Sequence, residues 1–162
     1  AGFDGAFVLD RKRHVDNHIR VDHASPGCSS GQYFRGVLGD RSRGVFNGRA
    51  LFRAGSDDSV VHQSNANLLL SRLAEIDTKP ELEIYADEVE ASHGATVGQL
   101  DEEAVFYMRS RGLSDDRARR LLTGAFCHAV TDRLADRGLA ETLAGLIDDA
   151  MPESIPFGED RQ

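Results

Sequence analysis

The apolar residues of the first 98 positions occur in short runs that glycine, asparagine, aspartate and serine interrupt. In the run HVDNHIRVDH, Val15, Ile19 and Val21 face one side and polar residues face the other, which is the two-residue period of a β-strand. Further strand-like runs are GQYFRGVLG, RGVFNGRALFRAG, SVVHQSNANLLLS and PELEIYADEVEAS. The pattern predicts many short strands, and no helical pattern between them is long enough for a doubly wound α/β sheet.

Two β architectures fit these strands: an antiparallel sandwich or barrel, and a parallel β-helix. A sandwich is typically rich in two-residue Asn-Gly hairpins, but the one Asn-Gly pair, Asn47 and Gly48, lies inside a strand-like run. Asn65 and Asn67 suit inward-pointing polar positions at the corners of a solenoid coil, where like side chains stack. The pattern favours the β-helix, but the sandwich stays open because no strict repeat is present.

After Gly98 the period of the sequence changes to that of helices. Asp101 caps a first predicted helix, which Gly112 ends, and Ser114 caps a second. The apolar stripe of the second helix is Ala118, Leu121, Leu122, Ala125, Phe126, Ala129 and Val130.

The second helix is predicted to continue through Arg133 and Arg137 to Gly138. A third follows, with an apolar stripe of Leu143, Leu146, Ile147, Ala150 and Met151. The three helices are expected to bury their stripes against one another or against the end of the β platform. The predicted division is a β core over residues 1–98, a helical domain over 99–151 and a flexible tail over 152–162.

Composition and charge narrow the classes of partner. The chain has 162 residues and a net charge of −8, which opposes binding to a phosphate backbone, so nucleic acid is not an expected partner. No segment approaches the ~18 consecutive apolar residues of a membrane span, so no membrane association is expected. Cys28 and Cys127 share no disulfide or metal spacing, which indicates a reducing compartment and a cytoplasmic location. Cys127 is predicted to be a buried small hydrophobe.

Catalytic motifs are lacking in the sequence. It contains no nucleophile elbow, phosphate loop, Rossmann glycine fingerprint or zinc-protease helix motif. His14 and His18 are predicted on one strand face and His23 on the opposite one. His93 is placed between the last strand-like run and the first helix, flanked by Ser92 and Gly94, which leave an imidazole accessible. On the residues alone, a capping or hydrogen-bonded loop histidine is the simpler interpretation.

The segment from Leu73 to Leu113, LAEIDTKPELEIYADEVEASHGATVGQLDEEAVFYMRSRGL, closely resembles the signature region of the SufD family of the SUF iron–sulfur assembly system. VDNHIRVDH, FRGVLGDRSRGVFNGRALF and NANLLLS also look like the family. The run SHGATVG has the SufD form rather than that of the paralogous SufB. The resemblance implies a mainly β protein: a right-handed parallel β-helix followed by a small C-terminal α-helical domain. It also implies a C-terminal fragment, without the family's N-terminal region and earlier coils.

Assembly and iron handling are further implications of the resemblance. SufD-like β-helices pair laterally with SufB through strand edges, and a histidine matching His93 helps build the nascent cluster with a SufB cysteine. His93 is therefore the expected, tentative metal ligand, for iron or a nascent cluster held transiently, with no cofactor stably bound. Some family members have a cysteine where this chain has Ala91. The helical domain is expected to dock a SufC-like ATPase through Phe106, Tyr107, Arg109, Arg111 and Gly112.

The expected function is thus a non-enzymatic scaffold and iron-handling subunit of a SufB–SufC–SufD complex. Since adjacent helical residues lie ~100° apart, Phe106 and Tyr107 cannot both face one core, and one should be available to a partner. One alternative is a β-helical carbohydrate-active or acyl-transfer enzyme, which needs carboxylates or a histidine grouped along a groove. Another is a SufB-type cluster-holding subunit, for which Cys28 is the candidate. Uncovered strand edges also suggest a homodimer of the isolated chain.

Overall fold

The computed structural model describes residues 1–152, so the predicted tail lies outside the described residues beyond Pro152. Within that range seven β-strands are followed by three α-helices. The strands are β1 (Gly2–Leu9), β2 (His14–His23), β3 (Ser29–Leu38), β4 (Arg43–Phe52), β5 (Ser59–Leu69), β6 (Glu75–Ile84) and β7 (Val89–Gly98). The helices are α1 (Glu102–Ser110), α2 (Asp115–His128) and α3 (Arg137–Ala150), with a 3-10 turn at Thr131–Arg133 between the last two.

The strands alternate between two parallel sheets. Sheet 1 has the order β1-β3-β5-β7 and sheet 2 the order β2-β4-β6, so each strand pairs with the strand two places along the chain. The register is continuous: Gly2 pairs with Gly31, and Ser29 pairs with Val60. The chain thus coils into a parallel β-solenoid of about three turns followed by helices, which confirms the predicted β-helix and excludes the sandwich.

Alternate residues of every strand point between the two sheets and form the core. Leu38, Phe46, Ala50, Phe52 and Val61 are almost completely buried there. Because parallel register places equivalent residues of successive coils over one another, like side chains stack in columns, as Leu9, Leu38 and Leu69 do.

Polar residues also point into this interior. Asn65 and Asn67 are buried, as predicted, but they lie within β5 rather than at a coil corner. Asn67 Nδ2 donates to Asn65 Oδ1 at 2.5 Å, and Thr78 Oγ1 donates to the same oxygen at 2.7 Å. The hydrogen bonds offset the cost of burying these amides.

The helix starts follow the predicted caps. The side chain of Asp101 accepts from Glu103 N–H and that of Ser114 from Arg117 N–H, so each satisfies a backbone donor of the first turn. Gly112, just after α1, has a φ of +93°, a conformation that favours glycine and ends the helix. No helix within residues 1–152 is long and apolar enough to cross a membrane.

The predicted end of the second helix is wrong. Helix α2 stops at His128, a 3-10 turn follows, and Arg137 and Gly138 lie in the first turn of α3. Asp136 caps α3 by accepting from Leu139 N–H. An aspartate N-cap therefore precedes the glycine that the sequence suggested as a helix end, and the chain begins a new helix there.

The predicted apolar stripes are partly wrong as well. Leu121 of α2 is 51% exposed, Leu146 of α3 is 60% exposed, and Ala125 and Ala150 are exposed. The buried residues of α2 are Ala118, Arg119, Thr123, Gly124 and Cys127. The buried face is thus rotated away from Leu121 and towards the smaller residues.

Helices α2 and α3 pack on the outer face of sheet 1. Val37 and Leu68 of that face share a core cluster with Cys127 and Met151. Cys127 is completely buried, and burial raises the pKa of its thiol to about 12, so it is a small hydrophobe, as predicted. The strands end at Gly98 and α1 begins at Glu102. Whether 1–98 and 99–151 fold as separate domains stays a prediction.

Candidate functional site

His93 lies in the middle of β7, not in a junction between the strands and the first helix as the sequence suggested. The run that was assigned to one strand, PELEIYADEVEAS, is divided between β6 and β7 by a turn at residues 85–88. Strand β7 pairs with β5 residue by residue, and His93 is the partner of Gln63. The strand is inconspicuous in sequence because glycine, alanine and serine give no alternation of large apolar side chains.

His93 occupies the last position of an inward-facing column. Gln32 pairs with Gln63, and Gln63 pairs with His93, so the three side chains share one face of sheet 1. Gln32 is 1% exposed and Gln63 is 5% exposed, whereas His93 is exposed. The difference arises because no strand of residues 1–152 covers β7. The imidazole therefore stands at the open end of the solenoid.

Strand β6 forms the free edge of sheet 2 at this open end. Glu75 N–H donates to Ser42 O and Tyr85 N–H donates to Phe52 O, so the odd-numbered residues of β6 bond to β4. The even-numbered residues direct their backbone groups towards the free edge. Pro80 is one of them, and its lack of an N–H is tolerated at an edge.

Strand β7 forms the free edge of sheet 1 at the same open end, and β1 forms the opposite edge of that sheet. Val60 N–H donates to Cys28 O and Leu70 N–H donates to Leu38 O, so even-numbered residues of β5 bond to β3 and odd-numbered ones to β7. By the same alternation, the odd-numbered residues of β7 direct their backbone groups to the free edge. His93 is one of these residues. Its side chain and its backbone are therefore both available at the open end.

Apolar side chains surround the two free edges. Ile84 is 45% exposed, Tyr85 67% and Val97 48%, while Leu82 and Ala91 are partly buried against the end of the core. Ala91, two residues before His93, faces the interior from the same strand face. Exposed apolar groups beside unpaired strand edges are typical of a surface that another chain covers.

Local partners are present for His18, His23 and His62. As predicted, His14 and His18 share the outer face of β2 and His23 faces the interior. His18 pairs with Asp16 at 2.7 Å, and His62 shares a 2.7 Å hydrogen bond with Ser92. Residues 1–152 contain no group of three or more His, Cys, Asp or Glu side chains that could hold a metal ion. His93 is one potential ligand, and the described residues complete no metal site around it.

A second exposed surface lies on α1 and the turn after it. Phe106 is 70% exposed and Tyr107 is 54% exposed, so both aromatic rings are available. Tyr107 accepts a 2.9 Å hydrogen bond from Arg111, whose guanidinium lies 5.0 Å from the ring centre. A shallow pocket of about 450 Å³ is lined by Phe106, Arg109, Ser110, Leu113, Ser114 and Asp115.

Arg119 fixes α1 against α2. Its side chain is 4% exposed and forms paired hydrogen bonds of 2.9 and 2.8 Å with Glu102 of α1. It also donates to Asp115 at 2.6 Å. These bonds raise the pKa of the guanidinium, which stays charged although it is buried. Val105 is the buried residue of α1, so the aromatic side of the helix is left outward.

Two features bear on the alternative functions. The outer face of sheet 2 carries acidic residues and histidines, but they form ion pairs, including Arg43 with Asp77 at 2.9 Å and Arg53 with Asp22 at 2.9 Å. Such ion pairs are common on solvated protein surfaces. Cys28 is half-buried in the turn before β3, where its N–H donates to Ser59 Oγ at 3.1 Å.

Comparison with known proteins agrees with this architecture. Residues 1–126 match the family model described as "SUF system FeS cluster assembly, SufBD core domain". The chain is 39% identical over 137 residues to the iron–sulfur cluster assembly protein SufD of Escherichia coli, covering 85% of this chain and 32% of that protein.

Two further relatives come from other bacteria. A SufBD family protein of Synechocystis is 39% identical over 127 residues, which is 78% of this chain and 28% of that protein. One of Mycobacterium tuberculosis is 34% identical over 152 residues, which is 89% of this chain and 38% of that protein. The chain thus spans about a third of the length of the relatives it matches, and the resemblance to SufD is confirmed. The chain belongs to the SufBD family of SUF-system iron–sulfur cluster assembly proteins.

Proposed function

We propose that this chain is part of a scaffold and iron-handling subunit that works with a SufB-like paralogue and a SufC-like ATPase in cytoplasmic iron–sulfur cluster assembly. The observation that carries the proposal is the position of His93, an exposed imidazole between two unpaired strand edges. The relatives are named as iron–sulfur cluster assembly proteins, which supports the same function. In this proposal the subunit does not itself catalyse a reaction.

The free edges are the proposed seam with the SufB-like partner. Each has a row of unpaired N–H and C=O groups, and a strand from another chain satisfies such groups by extending the sheet. Ile84 and Val97 add apolar surface beside the edges. Both sheets end at the same open end of the solenoid, so a partner β-helix can extend both at once.

His93 is the proposed contact with iron, which is the substrate of assembly rather than a resident cofactor. A neutral imidazole is a competent ligand for iron. One imidazole from this chain leaves the remaining positions to the partner, for which a thiolate is the suitable ligand, and to sulfide. A single ligand holds iron weakly without the partner, which suits transient rather than permanent loading.

The ATPase docking surface is proposed on α1. Phe106 and Tyr107 are suited to the centre of an interface. Exposed aromatic side chains flanked by arginines are typical of binding hot spots. Arg109, Arg111 and Gly112 complete the surface. Arg109 is held by Asp115 at 3.4 Å and Arg111 by Tyr107, so the surface is partly preorganised.

Co-expression of the full-length protein with its SufB-like and SufC-like partners tests the proposal. The native protein, His93→Ala and His62→Ala are each isolated, and bound iron and acid-labile sulfide are measured after reconstitution. His62 is the matched control because it is an exposed histidine on the neighbouring strand β5, on the opposite sheet face. All three proteins should retain both partners, and only His93→Ala should lose cluster formation, by at least tenfold.

Either half of the proposal can fail separately. If the native protein retains neither partner, the scaffold assignment is wrong. If His93→Ala assembles and forms clusters as the native protein does, the assembly role stands but the iron contact is wrong.

A further inference from the structure

Gln63 has one satisfied end and one unsatisfied end in the interior of the solenoid. Its Nε2 donates to Gly48 O, across the core on sheet 2, at 3.1 Å. Its Oε1 is buried and has no hydrogen-bond partner among the described residues. Unpartnered acceptors in protein interiors are uncommon because burial without a hydrogen bond costs free energy.

The position of Gln63 Oε1 in the column indicates which group could donate a hydrogen bond to it. The hydrogen bond from Nε2 to Gly48 O fixes the plane of the amide, so the amide cannot turn over and exchange its oxygen and nitrogen without losing that bond. The next side chain in the column, towards the open end, is His93, the direct register partner of Gln63. Adjacent strands lie about 4.8 Å apart, a spacing at which the two side chains reach each other.

One other donor competes for this acceptor. Gln32, on the opposite side of Gln63 in the column, has an unpartnered Nε2 among the described residues. Its Oε1 lies against Gly48, where a Cβ would be only 2.4 Å from it, so Gly48 has to be a glycine for this approach. Gln32 is completely enclosed, whereas His93 belongs to the exposed end of the column.

We propose that Gln63 is a positioning residue for His93: the exposed imidazole, which does not donate to Oε1 in this structure, turns inward so that one ring N–H donates a hydrogen bond to it. The other ring nitrogen then carries the lone pair and points out of the open end. Histidines that bind metals usually donate their second ring N–H to such an acceptor, which fixes the tautomer and the ring orientation. The use of this lone pair for iron rests on the function proposed above, but the hydrogen bond does not.

The test is the tautomer of His93 in the full-length protein without iron. The protein is labelled with ¹⁵N-histidine, and the ring-nitrogen chemical shifts are recorded by NMR at a pH where the imidazole is neutral. His93→Asn assigns the signals. The native protein should show one dominant tautomer. Gln63→Met, which has a similar shape without an acceptor, should change the tautomer ratio by about fivefold, the factor that one ordinary hydrogen bond contributes.

Two variants serve as controls. Gln32→Met removes a buried amide of the same column one coil farther from His93, and the tautomer ratio should stay native. Gln63→Glu keeps an acceptor and should preserve the native tautomer. An unchanged ratio in Gln63→Met would overturn the proposal, as would an equal change in Gln32→Met. If Gln63→Met does not fold, a mixed tautomer in Gln63→Glu would overturn it.

Failure here is distinguishable from failure of the proposed function. Loss of cluster formation in His93→Ala, together with a native tautomer in Gln63→Met, keeps the iron contact and rejects the role of Gln63. The opposite pair of results keeps the hydrogen bond and rejects the iron contact.

Discussion

His23 is a histidine whose burial has a cost that depends on pH. It is 2% exposed, it lies 4.6 Å from the ring of Phe52, and its Nε2 shares a 2.8 Å hydrogen bond with Ser30. Desolvation by burial lowers the pKa of this imidazole below its ordinary value. Its role is therefore structural, in contrast to the role proposed for His93, although both side chains face the interior.

The first prediction concerns the stability of the fold in mild acid. Because the folded-state pKa of His23 is lowered, the unfolded chain binds the proton more readily, and stability is lost as the pH falls below about 6.5. His23→Gln removes this titration. Between pH 7.5 and 5.5 the native protein should lose on the order of 1 kcal/mol more unfolding free energy than the variant.

Urea denaturation at several pH values measures this difference. His14→Gln, at an exposed position of the same strand, is the matched control and should follow the native curve. Parallel losses in the native protein and in His23→Gln would show that the acid sensitivity has another source.

At the scale of elements, local chemistry explains what could be predicted from sequence. Asp101, Ser114 and Gly112 act within a few residues of their own positions, and all three lie where their helix-end chemistry indicated. The end of α2 was mistaken because Gly138 has the composition of a helix end, while the cap at Asp136 makes it part of the next helix. Where two local signals of similar strength conflict, the sequence alone does not show which of them determines the structure.

Strand β7 shows the other limit of prediction from sequence, which is pairing between residues far apart in the chain. Its glycines, serine and alanines have little strand preference, and it is a strand because β5, about 30 residues earlier, supplies its hydrogen-bonding partner. The inward orientation of His93 follows from that register. Only the resemblance to a family singles out His93, and its neighbour Gln63 gives no signal in the sequence because burial and an unpaired oxygen arise only from packing.

The second prediction concerns helix α1 and the docking of the ATPase. Phe106→Ala removes an exposed ring, so it should change the stability of the subunit by no more than about 0.5 kcal/mol. Binding should weaken by about 2 kcal/mol or more, which is roughly thirtyfold, if Phe106 lies at the centre of the interface. Titration calorimetry of the full-length protein with the SufC-like ATPase measures this change.

Leu121→Ala is the control for this prediction. Leu121 is 51% exposed on the neighbouring helix α2 and lies outside the proposed surface, so binding should remain native. Equal affinities for Phe106→Ala and the native protein would place the ATPase elsewhere.

At the scale of the whole molecule, the open end leaves the solenoid incomplete. Each coil buries its inner face against its neighbours, and the coil of β6 and β7 has such a neighbour on one side only within the described residues. Val97 illustrates the consequence: it faces inward, like the buried Asn67 beside it in register, yet it is 48% exposed. In the proposed complex a second β-helix completes this end, and where the paralogue is missing, a second copy of the chain presents the same edges.

The last prediction is that the protein self-associates without its paralogue and that a charge on the edge prevents this. Val97→Lys places an ammonium group at the open end, where pairing would desolvate it, and lysine on edge strands opposes edge-to-edge association. Sedimentation equilibrium should show a dimer for the native protein and at least tenfold weaker association for Val97→Lys. Leu121→Lys, which adds the same charge at a similarly exposed position on α2, should dimerise as the native protein does. A native dimer that tolerates Val97→Lys but not Leu121→Lys would instead place the self-association surface on the helices, and a native monomer would mean that the two edges do not recognise their own copies.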